Sequence, residues 1–262
     1  MKIIITAGGT TEKIDPVRKI KNSATGTLGS LIAEAFVTRC GEKMEKIYYL
    51  CERGSVLPHL PCVEVVFTEG VEQAKDALSN LLTTQKIDAV IHSMAVSDYT
   101  VERLTTAEDL AGFLASKLFP LNGQQFTAKD ALADYIAGCI RENDRLLDQN
   151  SKVGSNIQNL MLSMKQTPKL ISLIKSLQPS VVLVGFKLLD GVEKQQLLDA
   201  GYGVLTKNSC DLVLANDQTE IKDGKHRGYL LAPDKSCVPF ETKEEIAAGI
   251  ADRVLNLIEA RK

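Results

Sequence analysis

Four apolar runs in this chain end in polar or glycine-rich sequence, and chemistry is to be sought at those ends. The first gives way to Thr6-Ala7-Gly8-Gly9-Thr10, the next to His92-Ser93-Met94-Ala95-Val96-Ser97-Asp98-Tyr99. A third runs through Gly185-Phe186-Lys187 and a fourth into Asn216-Asp217. Open parallel sheets bind ligands beyond the carboxyl ends of their strands, so this convergence points to a nucleotide-sized site. The first end says most. A dinucleotide fingerprint would set GxGxxG between strand and helix. Here Gly8-Gly9 is separated from Gly26 and Gly29 by the sixteen residues Thr10 to Thr25, so the linear NAD fingerprint is absent. That stretch carries Asp15-Pro16-Val17-Arg18 and Asn22-Ser23-Ala24-Thr25-Gly26. It offers a cation, an amide, small hydroxyls and a helix start near Gly26, whose backbone donors suit phosphate or carboxylate oxygens. The bland alternative is an ordinary long loop with caps, but loops of this length in compact domains are uncommon and usually functional.

The elements that must position these residues follow from periodicity. KIIIT (2–6) reads as a buried parallel strand. Gly26 to Thr38 reads as a helix, with Leu28, Leu31, Ile32, Ala35 and Phe36 on one face. Strands are predicted at 46–51, 62–67 and 87–92, with an amphipathic helix at 71–82 between the last two. This β-α-β-β-α-β opening implies parallel pairing with right-handed crossovers. From about Thr100 to Ser151 the pattern changes. Thr105-Thr106-Ala107-Glu108 looks like a helix start, a short helix to about Leu118 follows, Pro120, Asn122 and Gly123 make a turn, and 129–147 is again helical. This segment is expected to be an inserted helical hairpin or flap. Beyond it come a short strand at 160–163, a helix at 168–177, strong strands at 181–187 and 212–215 with a helix at 192–200, an antiparallel pair at 228–231 and 238–240, and a long helix at 244–261. The expected architecture is α/β: a doubly wound, mostly parallel Rossmann-like sheet, one domain over 1–262 with a helical flap at 100–151.

Composition fits that reading. The 262 residues are 44% hydrophobic and 24% charged, ordinary for a globular chain with a full core. A net charge of −2 supports neither a nucleic-acid platform nor a polybasic membrane anchor. The apolar run after Lys2 is shorter than a signal h-region and is broken by Gly8-Gly9, and no stretch approaches a membrane span. A soluble, unexported protein is expected. The six cysteines show no CxxC pairing and no His at ligand spacing, so neither a disulfide framework nor a structural zinc is expected.

The ordered segments ITAGGTTEKIDPVRKIKNSATGTLG, HSMAVSDY, MKQTPKLI, VGFKL, KNSCDLVLAND and KEEIA together resemble phosphopantothenoylcysteine synthetase, the stand-alone bacterial form being the nearest likeness. The resemblance runs end to end apart from the insert. It implies a cytoplasmic, homodimeric acid–amine ligase of coenzyme A biosynthesis. In that reaction a nucleoside triphosphate with Mg²⁺ activates 4'-phosphopantothenate and pyrophosphate leaves. The amine of L-cysteine then attacks the acyl-nucleotide, giving the amide and a nucleoside monophosphate. Bacterial members generally use CTP, which makes CTP the expected co-substrate, an acyl-cytidylate the intermediate and CMP the product. ATP stays open, because base choice rests on backbone geometry around Asp98. Two other classes compete on the residues alone: an NAD(P)-dependent oxidoreductase, which the first loop disfavours, and a regulatory nucleotide binder without chemistry.

The resemblance also assigns residues. Asn22 in KNSATG matches the Asn of the family's SNHSSG motif, which contacts the acyl group; a neutral amide can donate to a carbonyl gaining negative charge. Arg18 falls on the phosphopantothenate side, where a guanidinium fork suits phosphate or carboxylate; by itself it reads as a surface Arg in a loop. Ala95 stands where substrate is contacted by backbone. Asp98 matches a nucleotide-binding Asp that can read a base amino group, or, on its own, a strand-end Asp. Gly8, Ser93 and Met94 are expected on the nucleotide side, the last two, with His92, through backbone groups. In Ser151-Lys152-Val153-Gly154-Ser155, Lys152 alone survives of the family's mobile K-x-K-K segment. A cation there would answer charge on the α-phosphate, although a lone Lys beside polar residues is usually just solvated. Pro168, Lys169, Leu170 and Ile171 match a nucleotide-contacting stretch. Phe186 matches a base-contacting ring and reads equally as a core Phe. Lys207 matches a phosphate-binding Lys, with Gly203 where the family often has a second basic residue. Asn216-Asp217 resemble the ANDV element. Mg²⁺ can be held by phosphates and water, so no protein metal ligand is expected.

Overall fold

Strands buried on both faces must be apolar throughout, and the runs that meet this requirement are the ones that pair. The computed structural model describes residues 1–121, 126, 128–222 and 225–261. In order its elements are β1 (Lys2–Ala7), β2 (Thr11–Lys13), β3 (Lys19–Lys21), α1 (Thr27–Cys40), β4 (Lys46–Cys51), β5 (Val63–Phe67), α2 (Gly70–Thr84), β6 (Ala89–His92) and β7 (Tyr99–Thr106). Then come α3 (Ala107–Leu118), α4 (Lys129–Glu142), β8 (Leu160–Gln166), α5 (Leu170–Leu177), β9 (Val182–Leu189), α6 (Lys194–Lys207), β10 (Leu212–Asp217), β11 (Gly228–Leu231), β12 (Cys237–Phe240) and α7 (Lys243–Ala260). The predicted turn at Asn122 and Gly123 lies outside the described residues.

The chain forms two compact units: residues 1–11, 21–98 and 168–262, and residues 12–20 and 99–167. The first is built on one eight-stranded sheet in the order β12-β11-β10-β9-β6-β1-β4-β5. From β5 to β10 every pairing is parallel; β11 and β12 add an antiparallel edge. This is the expected doubly wound, mostly parallel sheet. Its parallel part has the 3-2-1-4-5-6 order of dinucleotide-type folds, so a crevice opens where β1 meets β6 and the crossovers reverse direction. Period-two alternation splits the core into two layers. Ile3, Ile5 and Ala7 face α1 and α7, meeting Ile32, Phe36, Ile250 and Val254. Ile4, Leu50 and Val90 face the other way, toward Leu78 of α2, Ile174 of α5 and Leu197 of α6. Several elements run past their predicted ends, α6 and β10 among them. The helix expected to stop at Ala200 continues to Lys207, because Leu205 extends its buried stripe. The strand expected at 212–215 carries on through Asn216 and Asp217, both buried.

The second unit holds the flap segment and is not purely helical, which corrects the expectation for the insert. Helices α3 and α4 are present, and Thr106 caps α3 by accepting from Asp109 N. Before them β7 pairs antiparallel with β8, from Tyr99 opposite Gln166 to Thr106 opposite Leu160, with a bulge at Glu102. The bulge breaks the alternation of YTVERLTT, which is why no strand was legible there. Helix α4 stops at Glu142, short of the expected Leu147, because Leu147 N is instead bound to Leu104 O at 2.8 Å. A small core of Val101, Leu104 and Val153, with Ile14, Leu147, Ile157 and Leu160 against it, holds this unit together.

Candidate functional site

At the β1/β6 crevice the loops are stitched by backbone. Ala95 N donates to Gly8 O (2.8 Å), Thr10 N donates to Ala95 O (3.1 Å), and Gly9 and Ala95 form an isolated parallel bridge. Asn22 closes the base of the inserted stretch, its N–H donating to Thr10 O at 3.2 Å. Its side-chain Nδ2 donates to the same Ala95 carbonyl at 3.0 Å. An amide nitrogen carries two hydrogens, so one sets the orientation of the Asn22 amide and the other is left for a ligand. Asn22 and Ala95, assigned separately from the sequence, are thus brought into direct contact.

The glycines explain how the backbone comes so close. A Cβ on Gly9 would sit 2.2 Å from Asn22 O. Gly8 has φ +76°, and a Cβ there would lie 2.3 Å from Ser55 Oγ. Gly26 (φ +84°) starts α1 with no capping side chain of its own, Thr25 Oγ1 accepting from Thr27 N at 3.4 Å, and a Cβ on Gly26 would be 3.3 Å from Gly8 N. On Gly29 a Cβ would be 2.6 Å from Ala7 Cβ. Tight turn, close approach and helix–strand packing are the three tasks of the dinucleotide glycines. Here they are performed by residues that the sequence separates and the fold reunites. The start of α1 therefore lies beside Gly8, and its backbone donors beyond Thr27 favour an anion there.

Buried polar groups brace this rim. Thr6 Oγ1 lies 2.9 Å from His92 Nδ1, and Met94 N donates to the same hydroxyl at 3.3 Å. Ser93 Oγ donates to Thr6 O (2.7 Å), and Ser97 N to Thr10 Oγ1 (2.8 Å). Burial lowers the His92 pKa from 6.5 to about 4, so the imidazole is neutral near pH 7. Glu52, just past β4, accepts from the backbone and hydroxyl of Thr11 and from Gly70 N (3.0 Å), tying the loop to the start of α2. The sequence signal for Glu52 is an acid directly after the buried run KIYYLC.

The remaining assignments divide. Asp98 and Lys169 meet: Lys169 Nζ donates to Asp98 Oδ1 at 2.5 Å, with both side chains mostly exposed. Exposed pairs of this kind contribute about 0–1 kcal/mol, so the carboxylate is readily given up to another donor. Pro168 stands just ahead of α5, where the Leu170 side chain is buried in the core and that of Ile171 packs partly buried against it. Phe186 is half-buried against the α1/α7 layer. Lys207 is not brought to the rim. It ends α6, and β10 begins after it with Leu212 opposite Val184, near the start of β9, which places Lys207 at the amino-terminal edge of the sheet. Asp217 is structural. Thr219 Oγ1 (2.6 Å) and the backbone of Val192, Thr219 and Gly191 hold its carboxyl well below the usual range.

Arg18 and Lys152 belong to the second unit. Arg18 Nε (2.9 Å) and Nη2 (2.6 Å) donate to Asp15 Oδ2, and Nη2 also donates to Val153 O (2.7 Å). Much of the guanidinium fork expected to face phosphopantothenate is therefore already engaged. Lys152 is exposed beside the buried Val153. Among the described residues, no three His, Cys, Asp or Glu side chains gather as a cation cage. A cleft of about 390 Å³ lined by Met1, Lys43, Asp88 and Leu255 lies at the amino-terminal ends of the strands, away from this chemistry. No helix among the described residues is long and apolar enough to cross a membrane.

Comparison with known proteins bears on the family and the fold. A solved structure described as the DNA/pantothenate metabolism flavoprotein from Streptococcus pneumoniae is 30% identical, with a TM-score of 0.77 over 98% of this chain and 99% of that one. A Cab2 variant in complex with phosphopantothenate-cysteine shares the fold at 16% identity and a TM-score of 0.66, over 99% of this chain and 87% of that one. The coenzyme A biosynthesis bifunctional protein CoaBC of Thermococcus kodakarensis is 26% identical over 258 residues, which are 98% of this chain and 51% of that protein. The chain thus spans about half the length of the curated relatives it matches. The family model for the DNA/pantothenate metabolism flavoprotein C-terminal domain matches residues 1–109 and 123–258, and the protein belongs to that family.

Proposed function

We propose that the protein is a phosphopantothenate–cysteine ligase of coenzyme A biosynthesis. The observation that carries this reading is the Asn22–Ala95 contact at the rim of the reunited glycines. An oriented neutral amide beside a helix start suits an acyl-phosphate linkage, whose carbonyl gains negative charge while its phosphate needs backbone donors. Asn22 donates its second amide hydrogen to the acyl oxygen, and Ala95 contacts substrate by backbone. Gly8, Ser93, Met94 and the start of α5 take the nucleotide, and Asp98 leaves Lys169 to accept from the base amino group. Lys152 answers charge on the α-phosphate. Mg²⁺ enters with the nucleotide, held by phosphate oxygens and water, and no step is assigned to it. CTP is the proposed co-substrate and the cytoplasm the proposed compartment. A homodimer is also proposed; the exposed Met161, Leu162 and Met164 on β8 are apolar surface that a second copy would cover.

The test is release of pyrophosphate that requires both 4'-phosphopantothenate and CTP, followed by CMP release on adding L-cysteine. ATP in place of CTP decides the base. Purified protein that never liberates a nucleoside monophosphate from either triphosphate is not this ligase. An oxidoreductase would release no pyrophosphate, and a pure binder would retain nucleotide unchanged.

A further inference from the structure

We propose that Asp15 is a positioning residue for this reaction, acting through Arg18 and the backbone of Val153 to hold Lys152 in place. The inference rests on the ligase reading of Lys152 given above. Asp15 is 1% exposed, and a buried carboxylate persists only where donors surround it. Its Oδ1 accepts from Val17 N (2.8 Å) and Arg18 N (2.7 Å). Its Oδ2 accepts from Arg18 Nε (2.9 Å), Arg18 Nη2 (2.6 Å) and Val153 N (3.2 Å). Arg18 Nη2 then donates to Val153 O (2.7 Å), so one ion pair grips both the N–H and the C=O of Val153. The Val153 side chain is itself buried with Leu104.

Lys152 is one planar peptide from that grip, its Cα about 3.8 Å from the Cα of Val153. On its other side, Asp148 accepts from Asn150 N (2.9 Å) and Ser151 Oγ (2.8 Å), so a second carboxylate pins the approach. The Lys152 side chain is exposed between two fastened neighbours. A cation that acts by position loses effect once its backbone is free to wander. On this view Arg18 works through Asp15 and Val153.

Asp15→Asn places an N–H against the donors of Arg18 and Val153 and removes the ion pair. Single-turnover acyl-nucleotide formation is expected to fall roughly 10- to 100-fold, with KM for phosphopantothenate unchanged. Hydrogen exchange at the Val153 amide should accelerate in Asp15→Asn and not in Lys152→Ala. Adding Asp15→Asn to Lys152→Ala should produce no further loss. Arg18→Lys, which keeps the charge but not the fork, is the milder second variant and should show the same pattern in smaller measure. The proposal is overturned if the two losses multiply, if Val153 stays protected in Asp15→Asn, or if Arg18→Lys raises KM without slowing acyl-nucleotide formation. Normal acyl-nucleotide formation by Lys152→Ala would instead remove the role of Lys152, and the proposal with it.

Discussion

Arg18 and Asn22 stand four residues apart, yet they are held by opposite chemistry. In the sheet unit, Asn22 sits among neutral groups: the carbonyls of Ala95 and Thr10 and the backbone of Gly9. In the second unit, Arg18 is gripped by a buried carboxylate whose ionised form it stabilises, holding Asp15 well below the usual carboxylate range. Backbone closeness fixes the first region, and charge fixes the second. The difference suits the parts they play in the proposed reaction: a neutral donor can approach a developing oxyanion without binding the starting carboxylate too tightly, whereas a cation needs only a firm mount.

The sharpest way to break this comparison is Gly9→Ala. A methyl group 2.2 Å from Asn22 O must displace the Asn22 backbone. The expected result is a stability loss of about 1–3 kcal/mol with amide formation abolished, read by thermal unfolding and single turnover; a variant that stays active would show that closeness is not what orients Asn22. Next in size, Asn22→Ala should retain nucleotide and lose amide formation roughly 100-fold. Unchanged amide production would remove Asn22 from the mechanism.

Acid separates the two regions. The His92 pKa falls from 6.5 in the unfolded chain to about 4 in the folded one, so only the unfolded chain takes up the proton as pH drops through that window. Stability is lost progressively between pH 6.5 and 4, by on the order of 3 kcal/mol in total. Asp15 is depressed instead, so its contribution is complete above 3.8 and is lost only below it. Amide exchange should therefore rise at Thr10 and Ala95 by pH 5 while Val153 stays protected, and His92→Gln should flatten the first response. Simultaneous loss at both places would mean the regions are not held independently. The smallest effect is expected from Lys169→Ala: stability unchanged within about 0.5 kcal/mol, with a modest shift in nucleotide KM as Asp98 loses its resident partner.

The sheet was legible because strands such as KIIIT and VVLVGFK are buried on both faces and must be apolar. The short ribbon of β2 (TEK) and β3 (KIK) was not, since three residues rich in charge carry no period. Strand β7 was hidden by its bulge and by a partner far along the chain. At the crevice, polar sequence at strand ends marked the rim, and the two motif residues Asn22 and Ala95, far apart in sequence, are in contact. Motif order cannot say which end of a helix faces the rim, so Lys207 was expected where the topology does not put it. Nor can it say that Arg18 already has a partner in Asp15, because Arg-to-carboxylate and Arg-to-ligand contacts ask for the same residue.

The hydrogen bond from Asn22 N to Thr10 O has a consequence for how such chains can vary. It fastens the neck of the inserted stretch, so the turn above the first strand is complete without regard to what hangs from it. Lengthening a tethered stretch is inexpensive, about 0.6 kcal/mol for each doubling. Insertions between the two glycine pairs can therefore grow or shrink over generations while the anion cradle keeps its shape, and any search for this turn should measure it through space.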